Sequence, residues 1–139
     1  MLKKLTTTDF GHYKVDIYIR NGIGGEFYTT LEGSSLPRIV IGIDYDRSEW
    51  WQLFNVLLHE VVECLLAISG FRFDQSPSIS WGTDRFTFHF DHAQFSEVIS
   101  RASLGLVKII PELKKAFVKS YKSRKPTRDK KRSTTEGEQ

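Results

Sequence analysis

From Glu49 to Ser69 the chain runs without a glycine, a proline, a lysine or an arginine, and Gly70 stands where a helix C-terminus favours a left-handed residue. Asp46 or Ser48 is placed to cap the start. The stretch predicts a helix of about twenty residues, and its composition restricts what can surround it. At ~100° per residue, Trp50, Leu53, Phe54, Leu57, Leu58, Val61, Val62, Leu65 and Ile68 cover a wide arc, with Cys64 among them. A helix apolar over so much of its circumference must be nearly buried, so the rest of the chain has to supply a sheet and a second helix to cover it.

Those elements are legible. Residues 13–19 (YKVDIYI) alternate polar and apolar and predict a half-buried strand. Asn21-Gly22 and Gly24-Gly25 supply turn chemistry before a second alternating run at 26–32. Residues 38–44 (RIVIGID) form a more continuously apolar, hence more central, third strand. Residues 71–73 and 85–90 read as further strands, and Asp91 caps a second long helix from His92 to about Leu106. Pro111 bends or ends that helix, and a shorter basic one follows. The expected order is β-β-β-α-β-β-α. It makes an α+β domain in which an antiparallel or mixed sheet of four to five strands packs on two long helices.

A chain of 139 residues with 40% hydrophobic side chains fills one core. The expected domain spans 1–122, and a flexible polar tail occupies 123–139. Charge divides the same way. Residues 1–113 hold 10 Lys and Arg against 14 Asp and Glu, whereas residues 114–139 hold 10 against three. Lys122, Arg124, Lys125, Arg128, Lys130, Lys131 and Arg132 either keep the tail solvated or attract nucleic acid nonspecifically by releasing its counterions. A single cysteine, Cys64, excludes an intrachain disulfide and a cysteine zinc cluster. No window approaches an uninterrupted membrane span of ~20 apolar residues, and the N-terminus does not read as a secretory signal. A cytoplasmic protein with no membrane partner is expected.

The remaining stripe of the first helix carries Gln52, Asn55, His59 and Glu63, with Glu60 on its shoulder. His59 and Glu63 are at i and i+4, so their side chains meet one turn apart and two ligands can reach one metal ion. The plain alternative is a wet polar face. Against it stand the missing lysines and arginines, which exposed helix faces normally use, and the cost of burying carboxylates that are not paired, protonated or metal-bound.

An apolar strand ending in an acid (IVIGID), a short capped link and a helix bearing LLHEVVEC together resemble small zincin-like metallopeptidase domains, including compact ones carried by phages. The resemblance implies that the strand lies on the sheet edge beside the metal-binding helix. It makes His59 the first zinc ligand and Glu60 the general base. Glu63 stands where the family has its second histidine, giving HExxE; carboxylate is a legitimate ligand for zinc or another divalent metal. The third ligand of the family comes from downstream, which points to His92, with His89 close behind. The implied activity is metal-dependent hydrolysis. Two alternatives stand beside it. One is a non-catalytic binding or inhibitor protein on a decayed zincin-like scaffold, acting on a host or phage protein in the host cytoplasm. The other is a nucleic-acid-associated protein that works through the basic tail.

Overall fold

The structure, a computed structural model, describes residues 1–29, 36–44, 47–74 and 86–122. Strands β1 (Lys3–Phe10), β2 (Tyr13–Asn21), β3 (Gly25–Tyr28) and β4 (Arg38–Ile43) precede helix α1 (Trp50–Ile68). Strands β5 (Arg72–Asp74) and β6 (Phe86–Phe88) and helix α2 (His92–Lys122) follow. The fold is α+β. One mixed sheet has the order β1-β2-β4-β3, with β2 and β4 parallel and both outer pairs antiparallel, while β5 and β6 form a small pair of their own.

Strand β1 goes beyond the expected set. Its sequence, KKLTTTDF, buries only Thr8 and Phe10, and it is held as an edge strand by its hairpin with β2. Gly11 makes the tight connection with φ of 72°, a left-handed conformation that a side chain would strain. Strand β4 is interior and not at the edge as the family resemblance implies. Its continuous run explains this, since Ile39, Ile41 and Ile43 face the helices and Val40 is buried on the opposite face. The edge beside α1 belongs to β3.

Helix α1 is capped by Glu49 and not by Ser48. The Glu49 N–H donates to Gln52 Oε1 at 2.9 Å, while Ser48 Oγ accepts from the Asp44 N–H at 3.1 Å; Asp46 lies outside the described residues. At the other end Gly70 takes φ of 80°, its N–H donates to Ala67 O at 3.1 Å, and the Phe71 N–H donates to Leu66 O at 3.0 Å. This closes the helix with a left-handed glycine as the sequence predicts. By length and composition α1 also matches a membrane span, contrary to the expectation above. Here its apolar side, from Leu53 through Leu57, Val61 and Cys64 to Leu66, is buried in the domain core.

Helix α2 begins as expected, with Asp91 and Gln94 exchanging backbone-to-side-chain hydrogen bonds at 2.8 Å each. It does not stop near Leu106 or break at Pro111 but continues to Lys122. A proline removes one helical hydrogen bond and crowds the carbonyl four residues earlier. That carbonyl belongs to Val107, on the solvent-facing side of the helix. Meanwhile the apolar side of α2 carries on past the proline: Ala102, Ile109 and Leu113 are buried, with Phe117 packed against the same core. Packing of that face outweighs the single lost bond. The two helices thus cover one face of the sheet and share one core with Val15, Ile17, Ile39 and Ile41.

Candidate functional site

The i, i+4 geometry of α1 brings two of the expected site residues together. His59 Nε2 lies 3.4 Å from Glu63 Oε1, with the side chains 64% and 24% exposed. The polar stripe is on the wet side of the helix, since Gln52 and Asn55 are exposed along with His59. The absence of lysine and arginine from α1 therefore does not mark burial of that stripe.

The buried carboxylate is Glu60, at 7% exposure. Helix geometry turns it about 100° from His59, toward β3. There Gly25 makes room, because a Cβ at that position would come within 2.5 Å of Glu60 Cγ and 2.8 Å of Val56 Cγ1. Gly25 is the site residue that sequence reasoning missed. It reads as turn chemistry, yet it lies in strand β3 and opens the space that Glu60 fills. No sequence signal identifies that contact, which joins residues thirty-five positions apart.

Burial pushes the Glu60 carboxyl above the ordinary glutamate range. His59 opposes the shift, whereas Glu63 and Glu26 reinforce it. Because the folded-state pKa is the raised one, protonated Glu60 contributes stability that is fully present below the unfolded-state value and is lost as pH rises through the folded-state value. At neutral pH the ionised group is then a burden on the fold. Glu60→Gln should melt at a higher temperature than the wild type at pH 7, with the difference shrinking on acidification. Thermal melts across pH check this, and a lower melting temperature for Glu60→Gln at neutral pH would refute the assignment.

Two donors that are each ~2.1 Å from one tetrahedral zinc ion stand ~3.4 Å apart, the separation of His59 Nε2 and Glu63 Oε1. The pair therefore fits two corners of a divalent-metal site. Among the described residues no three His, Cys, Asp or Glu side chains come together, so neither His92 nor His89 completes a three-ligand group with this pair. His92 occupies the exposed first turn of α2. His89 is also exposed, and its N–H donates to Phe71 O at 2.9 Å beside the β5–β6 pair. Helix α2 packs against α1 along its core face.

The other chemistry-bearing residues have structural surroundings. Asp91 caps α2, and His12 is exposed at the β1–β2 turn. Cys64 is fully buried, and burial raises its thiol to about 12, so it is not a nucleophile. Lys122 ends α2, while Arg124, Lys125, Arg128, Lys130, Lys131 and Arg132 lie outside the described residues. In comparisons with known proteins, no family model, curated protein or solved structure matches the chain.

Proposed function

We propose that the His59–Glu60–Glu63 face of α1 is the divalent-metal site of a hydrolase of zincin-like character. The observation that carries this reading is the conjunction of a two-donor pair at metal-ligand separation with a buried carboxyl of raised proton affinity on the adjacent residue. A bound zinc ion would supply Lewis acidity toward a scissile carbonyl. His59 and Glu63 would hold it from the solvent side of the helix. Glu60, whose proton affinity burial raises, would act as the general base, and Gly25 leaves the space its side chain occupies.

A specific observation favours a second reading. Only two of the expected ligands meet among the described residues, and the stripe lies on an exposed helix face that also carries Trp51 at 57% and Leu58 at 37% exposure. Those features suit a protein that binds a host or phage partner through α1 without catalysis. Elemental analysis of the purified chain separates the two. The hydrolase reading expects about one zinc or other divalent ion per chain and zinc-dependent cleavage of a peptide mixture that a chelator stops. A metal-free chain that acquires no ion on incubation with zinc leaves the binding-protein reading.

A further inference from the structure

The outward face of α2 has no role in the core or in the candidate site. Leu104, Val107, Pro111 and Val118 repeat at helical spacing on the side opposite the buried Ala102, Ile109 and Leu113. Leu104 is 61% exposed, Val107 72% and Val118 40%. Lys114 borders this apolar ridge on one flank, and Lys108, Lys115 and Lys119 border it on the other. A recess of about 580 Å³ beside Pro111 is lined by three of these lysines with Val118.

We infer that this ridge, with the lysines that flank it, docks the protein on an anionic lipid surface. Three features of the face support that occupant. An apolar ridge between lysines is the arrangement of an interfacial helix, in which the ridge enters the acyl boundary and the lysine stems reach back to headgroup phosphates. The acids near it are already engaged: Glu112 pairs with Lys115 at 2.7 Å, and Asp9 lies 3.9 Å from Lys108. Such exposed pairs are weak and can give way to phosphate. The chain after residue 113 adds the excess of basic residues that a negatively charged leaflet attracts.

Competing occupants fit less well. A second copy docked face to face would set lysine rows against lysine rows. Nucleic acid would engage the lysines but gain nothing from Leu104, Val107 and Val118. The inference departs from the expectation of no membrane partner, which rested on the lack of a spanning segment. Peripheral docking does not need one.

Co-sedimentation of the full chain with vesicles tests this. It should sediment with phosphatidylcholine vesicles containing phosphatidylglycerol and remain soluble with phosphatidylcholine alone. The double variant Leu104→Asp, Val107→Asp should partition about tenfold less, because the ridge no longer inserts. Both positions are exposed, so its melting temperature should match the wild type and separate lost docking from lost folding. Lys114→Gln, Lys115→Gln, Lys119→Gln should weaken binding comparably and flatten its salt dependence. Failure to bind anionic vesicles overturns the proposal. So does binding that ignores the aspartate pair, which would be adsorption through the tail alone. Single-stranded DNA binding without vesicle binding overturns it in favour of nucleic acid, and a dimer that the aspartate pair dissociates overturns it in favour of self-association.

Discussion

Gly105→Ala should destabilise the fold by about 1–3 kcal/mol, reversing the sign that helix propensity alone gives. In an open helix, replacing glycine by alanine gains up to about 1 kcal/mol. At Gly105, however, α2 crosses β1 so closely that a Cβ would overlap Cε1, Cδ1 and Cζ of the Phe10 ring. Phe10 is fully buried and cannot swing aside into solvent. Phe10→Ala should itself cost about 3–5 kcal/mol, a large share of the ~5–15 kcal/mol that holds a domain together. The two changes are coupled, since removing the ring frees the space the added methyl needs. The double variant should therefore be more stable than the sum of the single effects implies, by about 0.5–3 kcal/mol. Urea titrations of the wild type and the three variants measure each term. A Gly105→Ala protein more stable than wild type would show that α2 can lift off β1 without loss.

That contact also shows where the sequence stops being informative. The α+β class, helix α1 and the left-handed Gly70 were all legible, because local periodicity and end signals agree there. Strand β1 was not. Its threonines favour a strand, but it has only Thr8 and Phe10 to bury, and its identity depends on the pairing of Phe10 with Tyr13 across Gly11. The extent of α2 is hidden from local reading for a related reason. Pro111 is a strong local signal, and only the tertiary packing of Ile109, Leu113 and Phe117 outweighs it.

The site divides in the same manner. The i, i+4 meeting of His59 and Glu63 follows from helix geometry alone, and the structure has it. Which polar residue is buried does not. The wide apolar arc suggested that the whole stripe turns inward, yet only Glu60 does, because a glycine in the neighbouring edge strand leaves it room. The expected third ligand required knowing how the start of α2 lies relative to the middle of α1, a relation that no local pattern contains. His89 and His92 are near one another in sequence and downstream of the motif. Among the described residues they nonetheless remain apart from the His59–Glu63 pair.

The metal question turns on three substitutions with different expected outcomes. His59→Ala should reduce zinc affinity at least about a hundredfold, because a protein with so few ligands at the site cannot lose one and retain the ion. Glu63→His puts a second imidazole one turn from His59, and zinc binding should tighten by about tenfold. Glu60→Gln should leave the bound zinc unchanged but lower turnover by about 10²–10⁴, since the amide keeps the packing against Gly25 and removes the proton acceptor. All zinc binding should weaken on acidification, because imidazole and carboxylate ligate only when deprotonated. Zinc per chain and zinc affinity, measured on wild type and all three variants, keep the binding and catalytic roles separate. If Glu60→Gln loses the ion, Glu60 is a ligand and not the base. If wild type binds no zinc and Glu63→His gains none, the 3.4 Å contact is an ordinary His–Glu pair on a wet helix face, and the exposed Trp51 and Leu58 beside it become the place to look for a partner.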